Sequence, residues 1–588
     1  MARKLPSVDV VLVGFGWTGA IMAQELTDAG LEVLALERGS WRDTATDFAP
    51  TFIQDELRYR YHGHLFEQPA QETLTFRNTP DQKALPMRQL GSFLPGTGVG
   101  GSIIHWNGQA FRFLPYDFQI RSQTASRYGQ QMIPADMLLQ DWGVTYDELE
   151  PYYTRWDEIS GIAGQAGNLK GQKQPGGNPF EGARSKPYPT PPMKQTYGPT
   201  LFAKAAASIG MHPFPCPSGN MSQAYTNPLG VTLAPCTYCG FCEKFGCGNY
   251  SKASAQTTIL PVLMHKQNFT LRTGSDVINI NLDSTRKRAT GVTYVDTQGE
   301  EYEQPAELVI VCAYITHNVH LLMLSGIGTV YDPATGKGTL GKNYCYQVTP
   351  SVDVFFDDKL LNPFIGAGAL GMIVDDWNGD NFDHAGKGFI HGGYIGGYVT
   401  TGRPIETELV PEGTPKWGAK WKKAFVKNYL TSMSIALMGS VMPNRQNHLD
   451  LDPTYRDIHG RPLMRMTFDF KQNELKMQDF TMGKMEAIAK AMKPREIKKS
   501  PRGPHYDIHP YQSTHNTGGA IMGANPQESV VNRYLQHWDV PNLFVTGASA
   551  FPHNSGYNPT GTVSALAFWA ADAIRNQYLK HPGPLVQA

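Results

Sequence analysis

Four of the seven cysteines stand in one short run, "APCTYCGFCEKFGC". Cys236, Cys239, Cys242 and Cys247 are spaced C-x2-C-x2-C-x4-C. Thiols this close suit three kinds of chemistry. A structural zinc takes four thiolates in a tetrahedron, usually from two separated knuckles. A C-x-x-C redox pair needs only two of them. An iron–sulfur cluster takes thiolates from a single short loop, and the C-x2-C-x2-C opening is ferredoxin-like. The last spacing, and the absence of a proline after Cys247, depart from that motif and leave the cluster type open. The other three cysteines, Cys216, Cys312 and Cys345, are isolated. An odd and mostly clustered total argues against a disulfide framework.

The second constellation is "GFGWTG" near the N-terminus, with Gly14, Gly16 and Gly19 in the GxGxxG pattern. It follows the strand-like "VDVVLVG" and opens a helix. The first glycine allows the tight turn, the second lets backbone approach a pyrophosphate, and the third lets helix pack on strand. The helix N-terminus supplies free N–H groups to the phosphates. Glu37 ends the next strand, "LEVLALERG", where an acid can hold ribose hydroxyls. This combination reads as dinucleotide binding. The motif itself does not separate NAD from FAD. A partner-like strand returning at Leu543 to Ser549 favours FAD, because flavoproteins often close this domain with the far end of the chain.

The elements that must position these groups are spread along 588 residues, too long for one core. The formal net charge is zero, which removes the electrostatic case for nucleic acid or an anionic membrane surface. No apolar run approaches the ~18–20 residues of a membrane span. The N-terminal apolar segment runs into a glycine turn rather than a cleavage site, so no signal peptide is read there. Taken alone, this suggests a cytoplasmic protein. Residues 160–192, rich in Gly, Pro and Lys, read as a long surface excursion or linker. "FTLRTGSDVININL" and "ATGVTYVDTQG" read as strands joined by a hairpin-like turn. "ELVIVCAYI" reads as a buried strand, and "THNVHLLMLSGIG" as the helix after it. Strand-like segments dominate from Ser351 to Asp469 and suggest a large antiparallel sheet. "NLFVTGASA" is another buried strand, and "GTVSALAFWAADAIRNQYL" is the last helix.

Several segments resemble the glucose–methanol–choline oxidoreductase family. "GTGVGGSIIHWNG" resembles its flavin-binding loop. "THNTGGAIMG" and "SGYNPTGTVSALA" resemble its C-terminal catalytic segments, and "LLMLSGIG" another of its signatures. "WGVTYDELEPYY" matches a segment of its bacterial sugar-dehydrogenase branch, to which "HWNG" and the cysteine run also point. One departure is "VCAYI", where the family usually has a small glycine-containing turn.

The resemblance implies an α/β fold: a Rossmann-like FAD-binding domain interleaved with a substrate domain built on a large, mostly antiparallel sheet. The expected divisions are 1–120 (Rossmann motif and flavin loop), 121–225 (excursion), 226–335 (cysteine loop and return), 336–500 (substrate domain) and 501–588 (catalytic segment and closure). It implies His515 as the base that takes the substrate's hydroxyl proton, a task suited to a group with a pKa near working pH. It implies Asn558 as the neutral donor that holds the hydroxyl and steadies developing charge. His505, His509 and His553 are assigned no role. Gly100, Gly101, His105, Asn107 and Gly547 join Gly14, Gly16, Gly19 and Glu37 as cofactor contacts. His105 is expected to be bonded to the flavin 8α-methyl, with a noncovalent ring contact as the alternative. For Cys236, Cys239, Cys242 and Cys247 the branch implies a [3Fe-4S] cluster relaying single electrons, although its cysteine spacing differs from this one.

The activity so implied is FAD-dependent oxidation of a sugar, sugar acid or polyol. Gluconate comes first, then keto-gluconate, sorbitol, mannitol, fructose and glucose. The implied partners are a small chaperone-like subunit with a twin-arginine signal and a membrane-anchored cytochrome c, at the periplasmic face of the bacterial inner membrane. The rivals are an oxygen-using oxidase of the same family, a noncatalytic electron-transfer flavoprotein and a zinc-stabilised interaction module. An oxidase needs no cluster, and an electron carrier needs no base.

Overall fold

The computed structural model describes residues 2–48, 64–70, 72–88, 93–399 and 409–587. Part of the expected strand-rich region, residues 400–408, lies outside them. The N-terminal run Val8–Val13 forms β1, whose last four residues are buried. Such a continuous apolar run suits a central parallel strand covered on both faces. Gly14 turns the chain with φ +91° into α1 (Trp17–Asp28), and β2 (Val33–Leu36) returns parallel to β1 with Val10 opposite Val33. β3 (Phe269–Arg272) extends the same parallel sheet beside β2.

The expected hairpin is β4 (Ser275–Leu282) with β5 (Ala289–Asp296). Its strand-like lead-in divides at Gly274, φ +62°, so "FTLR" serves the parallel sheet and only "SDVININL" the hairpin. β6 (Glu301–Val311) has two partners in succession. Its first half pairs antiparallel with β5, and its second half runs parallel to β1, with Leu308 opposite Val10. α2 (Ile315–Leu324) follows.

A second, seven-stranded sheet is antiparallel throughout. It contains β7 (Gln347–Val348), β8 (Ser351–Phe355), β9 (Met372–Val374), β10 (Gly393–Tyr398) and β11 (Ser432–Ser440). α3 (Gln472–Ala491) and β12 (Glu496–Ser500) follow in the chain, and Phe214–Pro215 completes the sheet beyond β9. The order is β12-β8-β11-β10-β9, with β7 against β11. β11 shows what this sheet does. Met433, Ile435 and Leu437 pack in a core with Met482, Met485 and Ile488 of α3. The alternate residues Ser434, Ala436 and Met438 face a large cavity. Period-two alternation thus makes the sheet a wall with one dry and one open face.

Two readings of the sequence need correction. The strands at His448–Arg456 and Pro462–Thr467 do not join the large sheet. They pair with Thr75–Arg77 and Leu85–Pro86 in a separate four-stranded sheet. Strand propensity cannot name a partner almost four hundred residues away. The 160–192 stretch is no linker either. Arg184 is buried and shares the Asp157 carboxylate with Arg112, and its guanidinium lies 3.7 Å from the Tyr188 ring centroid. Asn178 donates to the buried Asp375 at 3.0 Å. Composition shows that the segment is not regular. It cannot show that its few long side chains bury themselves.

The far end of the chain closes the parallel sheet, as the resemblance implied. β13 (Leu543–Val545) lies parallel to β6, with Val309 opposite Leu543. α4 (Thr560–Ala573) is buried on nearly every face. Ser564 accepts from the Trp17 indole at 2.6 Å, and Thr562 meets the Tyr153 hydroxyl at 2.5 Å.

Close approach of α1 to β1 depends on Gly19, where an added Cβ would stand 2.5 Å from the Gly14 carbonyl oxygen. Gly19→Ala is expected to cost roughly 1–3 kcal/mol of stability, as overpacking does, and to weaken flavin retention. Chemical denaturation and flavin content check this; parental values for both would show that the contact is not tight.

Candidate active site

A cavity of about 620 Å³ lies between the two large sheets. One wall is built at the carboxyl ends of the parallel strands: Val13 and Gly14 after β1, Leu36 and Glu37 after β2, Cys312 after β6, Thr546 and Gly547 after β13. Ligands of open parallel sheets bind there. The antiparallel sheet supplies Ser351, Tyr394, Tyr398, Ser434 and Met438 to the opposite side. His515 and Asn558 reach in from the closing segment.

The residues expected to hold the cofactor divide by position. Gly14, Gly16, Glu37, Gly101, His105, Asn107 and Gly547 line the cavity. A side chain on Gly16 or Gly547 would meet no atom within 4 Å, so both leave room for a ligand. Gly19 and Gly100 are not among the lining residues. Gly19 serves the helix–strand contact, and a Cβ on Gly100 would strike the Gln256 side chain at 2.5 Å. Glu37 accepts from the backbone N–H groups of Phe15 (2.9 Å), Gly39 (2.8 Å) and Gly98 (3.3 Å). Those bonds fix the carboxylate while its edge remains on the cavity.

His105 is buried, and its Nε2 sits 3.1 Å from the Leu94 carbonyl oxygen. A carbonyl only accepts, so Nε2 carries the proton and Nδ1 carries a lone pair. That Nδ1 is buried and has no protein partner among the described residues. Burial, helped by the charge of Lys252, pulls the His105 pKa down to about 3. A neutral imidazole with an orphaned lone pair in the cavity wall fits contact with a bound ring.

The cysteine loop leans on this same stretch. Lys252 is buried, and its ammonium donates to the backbone oxygens of Trp106 (2.7 Å), Cys242 (2.8 Å) and Phe245 (2.8 Å). Lys244 N–H donates to the His105 carbonyl at 2.8 Å. The Cys242 thiol approaches Asn220 Oδ1 at 3.6 Å, while Asn220 Nδ2 donates to the Asn107 carbonyl at 3.2 Å. Burial pushes the Cys242 thiol well up; Lys252 pulls it back, and Cys239, Cys236 and Cys247 push it further. The four thiols therefore share one electrostatic neighbourhood. No three of their sulfurs lie within 4.8 Å of one another. Tetrahedral zinc at ≈ 2.3 Å from each sulfur would hold them about 3.8 Å apart.

His515 Nδ1 lies 2.5 Å from Gln347 Oε1 on β7. The Gln347 amide has one orientation, because its Nε2 donates to the carbonyls of Ser555 (3.2 Å) and Tyr557 (3.0 Å). Its oxygen therefore faces His515 and accepts the Nδ1 proton. Nε2 is left as the acceptor, and Asn558 Nδ2 donates to it at 3.2 Å. The Tyr394 hydroxyl lies 3.2 Å from Asn558 Oδ1 and 2.9 Å from Gln109 Oε1, and its single proton can serve either oxygen. Burial alone pulls the His515 pKa down to about 3. An imidazole held this way is neutral at physiological pH and can take a proton at Nε2. An alcohol entering between the two side chains would give its proton to Nε2 and keep a donor, Asn558, on its oxygen.

The other histidines of this part of the chain do not line the cavity. His505 and His509 are exposed beside Asp469 and Asp507. His553 is buried away from the cavity against Trp142 and the Asp117 carbonyl. Tyr314, in the departing "VCAYI" turn, has φ +74° and ψ 158°. That region is nearly reserved for glycine and costs about 1–3 kcal/mol. Its hydroxyl repays the conformation by donating to the Thr514 carbonyl (3.1 Å) and accepting from Asn516 (2.7 Å), the residues flanking His515.

Beside Glu37 the cavity wall is ionic. Arg38 pairs with Glu67 (2.8 Å) and Glu72 (2.6 Å), and His317 adds to Glu67. Glu67, Glu72 and His317 are the one group of three such ligand atoms within 4.8 Å among the described residues. Arg38 already pairs with both of its carboxylates. Sequence reasoning missed Gln347, Tyr394, Lys252 and this ionic group. No motif marks them, and Gln347 lies 168 residues from His515.

Replacing Gln347 by Glu would set a carboxylate against Nδ1 and favour the charged imidazole. The acid limb of substrate-driven flavin reduction is expected to move to higher pH by about 1–3 units. Anaerobic rapid-mixing rates across pH would show it; an unmoved limb would mean that residue 347 does not face Nδ1.

Comparison with known proteins places the chain in a family. Two family models described as GMC oxidoreductase match residues 219–349 and 443–567. The gluconate 2-dehydrogenase flavoprotein of Pantoea cypripedii is 49% identical over 100% of this chain and 97% of its own length. The fructose dehydrogenase large subunit of Gluconobacter japonicus is 25% identical, covering 98% of this chain and 99% of its own. The crystal structure of pyridoxine 4-oxidase from Mesorbium loti superposes with a TM-score of 0.59 at 18% identity, covering 98% of this chain and 100% of that one, a likeness of fold alone. The chain belongs to the GMC oxidoreductase family and is an FAD-dependent oxidoreductase acting on CH–OH donors.

Proposed function

We propose that the chain oxidises an alcohol of a sugar, sugar acid or polyol, gluconate first, with His515 as general base and Asn558 as the donor on the reacting oxygen. The observation that carries this reading is the neutral His515, its Nε2 beside Asn558 in the same cavity as the glycine turn. Bound FAD supplies the acceptor for the hydride that leaves the carbinol carbon. The hydroxyl proton goes to Nε2, and a carbonyl remains. In this reading the Tyr394 proton goes to Asn558 Oδ1, so that the amide N–H, not its oxygen, meets the alcohol. The two dehydrogenases similar over the full chain carry gluconate and fructose in their names, which supports the sugar class.

In this reading 1–120, 226–335 and 501–588 form the FAD-binding part, and 121–225 and 336–500 the substrate part. His105 Nδ1 is the atom that would bond the flavin 8α carbon. Cys236, Cys239, Cys242 and Cys247 hold an iron–sulfur cluster, [3Fe-4S] or another type, that passes electrons outward one at a time. The support is the loop's position: Lys252 ties the Cys242 backbone to Trp106 of the flavin loop. The electrons leave to a membrane-anchored cytochrome c partner, and a small subunit with a twin-arginine signal carries the folded chain to the periplasmic face. No helix among the described residues is long and apolar enough to cross a membrane; the anchor in this reading is the partner's.

His515→Ala is expected to slow anaerobic flavin bleaching by substrate by ~10²–10⁴-fold with FAD still bound. Asn558→Ala should cost less, ~10²–10³-fold, and the double variant less than the product of the two. A His515→Ala rate near the parent's would assign the base elsewhere.

Iron and acid-labile sulfide should accompany protein prepared anaerobically. Cys242→Ser should spare flavin reduction by substrate but slow reduction of a haem acceptor. Zinc without iron would remove the relay.

A further inference from the structure

Three arginines line the cavity, Arg38, Arg461 and Arg502, and two of them are neutralised. Arg38 pairs with Glu67 and Glu72, and Arg461 with Asp457 at 2.9 Å. Arg502 is different. Its Nε donates to the Thr349 carbonyl at 2.9 Å and its Nη2 to Thr349 Oγ1 at 2.9 Å. No carboxylate pairs with it among the described residues, and Nη1 has no protein acceptor among them. Burial pulls its pKa below the ordinary value, and only the phenols of Tyr346 and Tyr506 push back. A half-buried cation left without a counter-charge is costly, and proteins seldom keep one without a ligand to complete it.

Its placement matches a substrate role. Thr349 stands two residues beyond Gln347 on the same extended run, so the two side chains lie roughly 7 Å apart on one side of it. One anchors Arg502 and the other holds His515. Thr349 takes the Nε–Nη2 edge of the guanidinium. The Nη1–Nη2 edge remains, and its parallel N–H donors match the two oxygens of a carboxylate. Thr349 Oγ1 also donates to Gln512 Oε1 at 3.1 Å, which turns the Gln512 amide nitrogen away to serve another acceptor. A carboxylate on one side of the site and a base on the other would take a polyhydroxy acid by its ends.

We propose that Arg502 is the residue that binds the substrate's carboxylate, so that the enzyme selects polyhydroxy carboxylates over neutral sugars and polyols. The proposal rests on the reading of this cavity as an alcohol-oxidation site. It predicts discrimination without any change in the base.

The test uses the holoenzyme with a dye acceptor and two substrates, D-gluconate and its neutral analogue D-gluconamide, which carry the same hydroxyls. Gluconate is expected to be favoured in kcat/KM by about 10²-fold, mostly through KM, the scale of a charge-assisted hydrogen-bonded contact. Arg502→Gln should remove about 10²-fold from gluconate and at least tenfold less from gluconamide, and Arg502→Lys should restore part of the loss. Equal kcat/KM for the two compounds in the parent enzyme would overturn the proposal, and that comparison stands even where the variants do not fold. An unchanged gluconate KM in a flavin-bound Arg502→Gln enzyme would overturn it too, while leaving the sugar-acid reading intact. Failure of the parent to oxidise either compound or any hexose or hexitol would overturn both.

Discussion

The lone pair that His515 offers at Nε2 exists because the proton is held on Nδ1 by the amide oxygen of Gln347, 2.5 Å away. A carboxylate at that place would draw the imidazole toward its charged form, and a charged imidazole cannot accept a proton. A neutral acceptor leaves burial in control, and burial disfavours the cation. Much of the architecture serves this bond. Gln347 belongs to the antiparallel sheet, whereas His515 and Asn558 belong to the segment that closes the parallel one. The two sheets have to meet face to face for the proposed base and its partner to share a cavity.

The amide is also the point where a backbone requirement becomes a chemical one. Gln347 satisfies the carbonyls of Ser555 and Tyr557 on either side of Gly556, immediately before Asn558. A flipped amide would turn its nitrogen to His515 Nδ1 and leave the carbonyls of Ser555 and Tyr557 without this donor, a penalty of the order of 1–3 kcal/mol for each group. Satisfying the strand end therefore sets the imidazole tautomer. Tyr314 works in the same way from the other side. It accepts an unfavourable φ so that its hydroxyl can tie down Thr514 and Asn516. Strain held where a cavity-lining segment must not drift is a recurring arrangement.

Charge in the cavity is distributed with similar economy. Arg38 and Arg461 are matched by acids, and Lys252 is spent on backbone carbonyls that join the cysteine loop to the flavin loop. The buried Lys252 ammonium also opposes the rise that burial imposes on the Cys242 thiol. Arg502 is left with one edge uncommitted, in a protein whose formal net charge is zero and whose specificity must therefore come from single residues rather than from a broad field.

The sequence by itself determined the parts whose signals are local. GxGxxG between a strand and a helix marked the dinucleotide turn, because only glycine tolerates φ +91° at Gly14 and backbone contact at Gly19. The segments around His515 and Asn558 carried a family resemblance, which the comparisons bear out. Tertiary structure decided everything that depends on pairing across distance. It sent "FTLR" to the parallel sheet and two later strands to a sheet with residues 75–86. It packed the Gly/Pro-rich stretch by burying Arg184, and it put Gln347 on His515 across 168 residues. Among 52 basic residues nothing in the sequence distinguishes Arg502. A residue's charge is written in its type, but whether that charge is already neutralised is a property of its neighbours, and those are chosen only when the chain folds.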